Sequence, residues 1–305
     1  MSEEYSKCTQ DFESIIDFIR FGITSANSQT LHFGHGTDNA LDDIYALILG
    51  VLSLPMDIEP MMFQARLTKL EKEKLARQLA RRIIERVPVP YLTNKAYFCG
   101  LPFYVDERVL IPRSPIAELI EQQFSPWISN DKVSRVLDLC TGSGCIAIAC
   151  CYAFPNATVC GVDISDAALE VAEINRETHG LHEQLTLIKS DVFTAVPRAS
   201  YDIIVSNPPY VGFEEMKTLP KEYHHEPSVA LEAPKNGLEI VEKIMIDAHH
   251  YLSEHGILVV EVGNSADALI EEYDDLAFTW LDFERGGEGV FLLTRNQLVD
   301  YFGSV

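Results

Sequence analysis

The sequence predicts an α/β protein: a doubly wound parallel sheet, preceded by an N-terminal helical domain and a linking β-hairpin. Three observations predict it. From residue 133 onward, short apolar runs alternate with stretches of helical period, the rhythm of βαβ units. Residues 1–86 show helical spacing alone. Between them, 87–113 is dense in Pro, Gly and β-branched or aromatic residues, which reads as a hairpin joining two domains. A chain of 305 residues suits that division. The expected boundaries are 1–86, 87–113 and 114–305.

The elements follow in order. DFESIIDFIRFGI places apolar residues at i, i+3, i+4 and i+7, so it predicts an amphipathic helix. In GTDNALDDIYALILGVLSLP, Thr37 or Asp38 can cap a helix that Pro55 ends. LTKLEKEKLARQLARRIIERV is a third helix, with acids and bases at helical spacing. Its basic stripe reads as a solvated face rather than a binding patch.

The α/β half begins with strand VSRVLDLC and helix GSGCIAIACCYAF, then strand TVCGVDI and helix SDAALEVAEINRETHG. QLTLIKSD and YDIIVSN are two further strands. NGLEIVEKIMIDAHHYLSEH is a helix and GILVVEVG a strand. After the short helix NSADALIEEY, FTWLDFERGGEGVFLLTR reads as two strands about a Gly-rich turn, an antiparallel hairpin at the sheet's edge.

Composition narrows the function classes. The formal charge is −22, so the average field repels nucleic acid, and stable nucleic-acid binding is not expected. A basic protein partner would be steered in instead. Seven cysteines with no CxxC pair give no zinc spacing and suit buried, reduced thiols. No apolar run of about 18 residues suggests a membrane span, and the first 20 residues do not read as a signal peptide. A cytoplasmic location is expected.

DLCTGSGC, residues 138–145, follows a strand and opens a helix, where glycines let the backbone approach a ligand. It departs from the dinucleotide pattern, because Cys140 replaces the first glycine and the helix follows too closely. Asp163 ends the next strand, about 20 residues on, where an acid accepts from ribose hydroxyls. Asp191, in KSDVF, stands at a third tip and can accept from an adenine amino group. Three such tips suit S-adenosylmethionine better than a dinucleotide, since the loop is not built for a pyrophosphate.

At a fourth tip the sequence reads SNPPY. Two successive prolines cannot continue a sheet ladder. Asn207 offers a side-chain acceptor and Pro208 a carbonyl, so a planar NH₂ group could donate one hydrogen to each. Tyr210 could stack on that group and exclude water. An amide or aniline-type nitrogen is a weak nucleophile, and acceptors on both hydrogens would raise its electron density and aim it.

Taken together and in this order, CTGSG, GVD, SDVF and NPPY resemble the class I S-adenosylmethionine-dependent methyltransferases, Rossmann-like enzymes that here act on planar exocyclic nitrogens. VLIPRSPIAELI and HHEPSVALEAPKNGLEI resemble the protein glutamine methyltransferase group. FGHGTDNALDD and YLTNKAYFCGLPFYVDERVLIPRSPIAELI resemble the branch that modifies the third protein of the large ribosomal subunit. In release-factor enzymes a Thr-Glu pair typically follows the Pro-Arg pair; here Arg113 is followed by SPIAELI.

The resemblance implies N5-methylation of one glutamine by a clamp of Asn207, Pro208, Pro209 and Tyr210. It implies a cofactor pocket of Leu139, Cys140, Thr141, Gly142, Gly144, Asp163, Ile164, Asp191, Val192 and Asn207. Pro112 and Arg113 would stand at the substrate entrance, and the helical domain would help choose a basic ribosomal protein. Three alternatives stay open: a release-factor glutamine methyltransferase, an adenine-N6 type nucleic-acid methyltransferase, and a non-catalytic adaptor with a vestigial cofactor site. His32 and His35 read as loop or packing residues, with no third metal ligand in sight. His224 or His225 could accept the released proton, although water could do the same. Glu226 and Pro227 read as shaping the loop beside the site, and Ser114 lacks the partners of a nucleophile.

Overall fold

The computed structural model describes residues 3–234 and 237–303. It divides into two compact units. The first comprises Met1–Ala96, Val105–Glu107 and Pro220–His225; the second comprises Tyr97–Tyr104, Arg108–Leu219 and Glu226–Val305. The short segment Pro220–His225 therefore leaves the unit that contains its neighbours in sequence.

The first unit is helical: α1 Glu3–Asp11, α2 Ile15–Ser28, α3 Ala40–Val51, α4 Lys69–Ile83 and α5 Val89–Thr93. The helix expected from residue 11 starts at Ile15, where Ser14 and Asp17 form a capping box. The α3 cap is Asn39, which accepts from Asp42 N, rather than Thr37 or Asp38. Thr37 instead donates to Asp43 at 3.0 Å. Thr68 caps α4 in a second capping box. Phe18, Ile44, Leu47, Leu75 and Leu79 fill the core. Within it Arg82 is buried; its Nε donates to Asp43 Oδ2 at 2.7 Å and its Nη2 to His32 O at 3.0 Å. Arg82 Nη1 lies 3.6 Å from Glu222, also buried. His35 is buried too, its ring 4.6 Å from that of Tyr223, which gives it a packing role.

In the 87–113 stretch, β1 Ala96–Phe98 and β2 Leu101–Phe103 form a two-stranded hairpin. Cys99 and Gly100 both have positive φ, as a tight hairpin turn requires.

The second unit follows with α6 Ile116–Glu121, β3 Arg135–Leu139, α7 Cys145–Ala153, β4 Thr158–Asp163, α8 Asp166–His179, β5 Leu185–Lys189 and β6 Tyr201–Ser206. Then come α9 Phe213–Met216, α10 Glu239–Ala248, β7 Leu252–Glu261, α11 Ala266–Glu272, β8 Thr279–Trp280, β9 Val290–Thr294 and α12 Arg295–Phe302. The sheet order is β5-β4-β3-β6-β7-β9-β8, parallel through β7 and antiparallel at β9 and β8. The doubly wound sheet and its terminal hairpin match the sequence expectation.

Two local expectations change. The helix read through His255 ends at Ala248, and LSEH belongs to β7, where Leu252 pairs with Tyr201 across an irregular register. Helix α12, with Thr294 and Gln297 as its capping box, was not anticipated.

Both sheet faces are covered. Ile116, Ile120, Phe124 and most of α7 pack on one; Val241, Ile244, Met245, Leu269 and Leu298 pack on the other. The six described cysteines are free; the side chain of Cys8 lies outside the described residues. Burial pushes the Cys99, Cys145 and Cys151 thiols up to about 12, so they behave as small hydrophobes. Among the described residues no helix is long and apolar enough to cross a membrane.

Asp43→Ala is expected to destabilise the helical unit by about 3–5 kcal/mol, because it strips the closest carboxylate from a buried guanidinium. Urea unfolding followed by circular dichroism checks this; an unchanged midpoint would refute it.

Candidate active site

The register levels the strand ends. Leu139 pairs with both Val162 and Ser206, Asp163 with Lys189, and Ser206 with Val260. The residues leaving β3, β4, β5, β6 and β7 therefore emerge along one edge, where open parallel sheets bind ligands.

At the β3 tip the chain turns sharply. Cys140 has φ +59°, a left-handed conformation that usually selects glycine. A cysteine there explains why the glycine pattern is broken in sequence yet kept in backbone shape. Thr141 N donates to Val162 O at 2.9 Å, which ties the loop to β4. Beneath it lies Asp138, fully buried. Its Oδ2 accepts from Thr141 Oγ1 at 2.5 Å and from Ala147 N at 3.0 Å. Buried Asn175 of α8 braces the same loop by donating to Ser143 O at 2.8 Å, and its Oδ1 accepts from Tyr104 N at 2.7 Å.

Asp163, at the β4 tip, accepts from Gly142 N at 2.8 Å and from Ser165 N at 2.9 Å. Burial raises its carboxyl above the usual range, and those N–H groups oppose the rise. The Ile164 N–H opposes the rise as well, which leaves at least one of the four acceptor sites for a ligand. A Cβ added to Gly142 would meet nothing within 4 Å, so the turn itself faces open space.

Strand β6 is buried at every position. Ser206 Oγ donates to Leu139 O at 2.8 Å, locking the strand end against β3. Asn207 follows, then Pro208 and Pro209, both buried. Tyr210 is fixed at both ends: its hydroxyl donates to Glu261 Oε1 at 2.8 Å, and its carbonyl accepts from Ser265 Oγ at 2.9 Å. Gly263 leaves room for the ring, since a Cβ there would stand 2.6 Å from Tyr210 Cε2.

Arg113 is held by a two-point ion pair. Its Nη1 and Nη2 donate to Glu226 Oε1 and Oε2 at 2.5 and 2.7 Å, and Glu226 Oε1 also accepts from Ile111 N at 3.0 Å. Glu226 thus shapes the loop as the sequence suggested, by gripping the Pro112–Arg113 turn.

One cavity of about 290 Å³ opens at this edge. It is lined by Pro112, Arg113, Cys140, Thr141, Gly142, Asp163, Ile164, Asp191, Val192, Asn207 and Pro209 among the residues singled out in the sequence. Leu139, Gly144, Pro208 and Tyr210 do not line it. Leu139 is buried at the end of β3, and Gly144 caps α7 with φ +79°. His224 and His225 are also absent from the lining, and His225 Nε2 lies 2.8 Å from Glu85 O.

Sequence reasoning missed Asp138, Asn175 and Glu261. A carboxylate closing the apolar strand GILVVE was the available signal for Glu261; nothing local marked Asn175.

The Methyltransferase small domain family model matches residues 122–224. The "Ribosomal protein uL3 glutamine methyltransferase" of Francisella tularensis subsp. tularensis is 47% identical over 292 residues, covering 95% of this chain and 93% of its own. The protein of the same name from Xanthomonas campestris pv. campestris is 48% identical over 290 residues, covering 95% and 94%. Among solved structures, the hMettl16 catalytic domain in complex with the MAT2A 3′UTR hairpin 6 superposes with a TM-score of 0.51. It is 17% identical and covers 73% of this chain and 80% of that one, a likeness of fold alone.

Burial pushes the Asp138 carboxyl up to about 7, opposed by its bonds from Thr141 and Ala147, with Asp163 adding a smaller rise. In the unfolded chain an Asp releases its proton near pH ~4. The native state therefore binds the extra proton between those values, and the stability attached to Asp138 is lost as pH rises through about 7. Asp138→Asn keeps an acceptor and removes the titration. The variant's thermal midpoint, relative to wild type, is expected to rise between mildly acidic and mildly alkaline buffer. A difference independent of pH would contradict the shift.

Proposed function

The chain belongs to the ribosomal protein uL3 glutamine methyltransferase family, and from that premise we propose that it methylates the side-chain amide nitrogen of one glutamine in uL3. The enzyme is a methyltransferase and its cofactor is S-adenosylmethionine. The observation that carries the reading is the placement of Asn207 and Pro209 in the same cavity as Asp163 and Asp191.

The residues present fit the cofactor. Asp163 presents a carboxylate with acceptor capacity left beside an open glycine turn, where a ribose hydroxyl would donate. Asp191 would accept from the adenine amino group, with Ile164 and Val192 as apolar walls. Cys140, Thr141 and Gly142 would cradle the tail. When bound, the cofactor supplies a methyl group already activated on a sulfonium.

The chain's own part is to aim the nucleophile. On this reading one amide hydrogen of the glutamine bonds to Asn207 Oδ1 and the other to the Pro208 carbonyl. Both acceptors raise electron density on nitrogen, and the rigid proline pair fixes their spacing. Orientation of this kind is worth about 7–11 kcal/mol in well-organised systems. Tyr210 covers the amide plane and excludes water. The nitrogen forms its bond to the methyl carbon as the carbon–sulfonium bond breaks, and the surplus N–H proton, held on an acceptor oxygen during transfer, passes to bulk water as the product leaves.

Substrate choice falls to the N-terminal helices, with residues 87–113 as the link and 114–305 as the transferring domain. Pro112 and Arg113 stand at the entrance. The net charge of −22 suits a basic ribosomal protein and disfavours stable nucleic-acid binding. The reaction then runs in the cytoplasm, where its six described thiols remain reduced.

Labelled S-adenosylmethionine, offered with ribosomal proteins from a strain lacking the gene, tests the substrate. Label on a single glutamine of uL3, mapped by mass spectrometry, is expected. Label on RNA or on a release factor would overturn the assignment.

A pair of variants tests the division of labour. Folded Asn207→Ala is expected to lose about 100-fold or more in kcat while keeping most cofactor affinity, because its contacts serve the transferred group. Asp163→Ala is expected to weaken cofactor binding about tenfold or more by calorimetry, for want of a charged acceptor. Wild-type kcat in the first, or wild-type affinity in the second, would remove that residue's role.

A further inference from the structure

Tyr210 can cover an amide plane only while its ring is held, and the holding group lies on a different strand. Glu261 is the last residue of β7, level with Asn207 across the sheet. It is 6% exposed. Its Oε1 accepts from the Tyr210 hydroxyl at 2.8 Å and its Oε2 from Ser114 Oγ at 2.6 Å. Ser114 is itself buried and follows Arg113 directly; its Oγ also accepts from Ile116 N at 3.2 Å.

Burying a carboxylate at the tip of an apolar strand is unfavourable on its own account. Burial raises the Glu261 carboxyl; the Ser114 and Tyr210 bonds and the Arg113 charge pull it back. An apolar side chain at this position would avoid that cost, so stability alone does not call for an acid. What an acid supplies is two acceptors, fixed by the sheet, for hydroxyls carried on two different loops.

We propose that Glu261 is a positioning residue for methyl transfer: it fixes the Tyr210 ring beside the amide and, through Ser114, ties that ring to the Pro112–Arg113 turn at the substrate entrance. This rests on the reading of the site given above. Glu261 touches no reacting atom in this scheme and acts through Tyr210 and Ser114. Gly263 complements it from below, since any Cβ there would displace the ring that Glu261 holds.

A double-mutant cycle tests the proposal on the full-length enzyme, with purified uL3 as substrate. Tyr210→Phe and Glu261→Ala are each expected to lower kcat about 10- to 100-fold, as a misplacement of order 1 Å does. KM for uL3 and cofactor affinity should change less than about threefold, the pattern of a contact that matters in the transition state. The double variant should be no slower than the slower single, because both changes break one unit. Glu261→Gln offers one acceptor and one donor to hydroxyls that can play either part, so it should restore most of kcat. Losses that multiply, or wild-type kcat in Glu261→Ala, would overturn the proposal. If Glu261→Ala fails to fold by circular dichroism, the cycle of Ser114→Ala with Tyr210→Phe decides by the same criterion. Wild-type enzyme that leaves uL3 unlabelled overturns the reading of the site itself; labelling with multiplying losses overturns the positioning role alone.

Discussion

A parallel sheet covered on both faces leaves only its edges for polar chemistry. Here β6 is buried along its whole length, and apolar clusters lie on either side of it. A charged side chain within such strands would face the core without water. Polar chemistry is therefore concentrated at the last residues of each strand and the first beyond it. Because Leu139, Val162, Ser206 and Val260 are in register, those residues converge along a single edge. The site is a consequence of burial before it is a consequence of any particular side chain.

Convergence alone would leave the loops mobile. Three devices stiffen them. The proline pair removes two backbone degrees of freedom directly after Asn207. Left-handed residues, Cys140 and Val192 among them, hold turns that ordinary backbone would avoid, at a cost of about 1–2 kcal/mol each. Buried acceptors then tie the loops down: Asp138 of β3 holds the Thr141 turn, Glu261 of β7 holds Tyr210, and Glu226 joins its own loop to that of Arg113. Each acid is costly to bury alone and is offset by the donors it gathers. The stability lost in these groups is regained as geometry at the edge.

That geometry does not by itself choose a substrate. A glutamine amide and a base's exocyclic amine are both planar NH₂ groups, and the proposed pair of acceptors would serve either. The fold is shared with a domain solved in complex with an RNA hairpin. The choice comes from the relatives that match along nearly the whole chain and from the chain's own charge of −22. An acidic surface attracts a basic protein and repels a phosphate backbone unless a local patch reverses the field.

The sequence by itself determined the alternation of strand and helix, and that Asp163, Asp191 and Asn207 stand at strand ends, where they line one cavity. Each is a local signal: an apolar run, a turn and a polar residue follow one another within a few positions. Tertiary structure decided the remainder. LSEH continues a helical pattern, yet pairing with β6 makes it strand. Ser114 meets Glu261 across 147 residues, Arg113 meets Glu226 across 113, and Asn175 meets Tyr104 across 71. No periodicity or spacing encodes such pairs, because they exist only once the sheet has closed its register and brought the loops to one edge. The sequence carried the polar groups of this edge, whereas the folded chain decided what holds them in place.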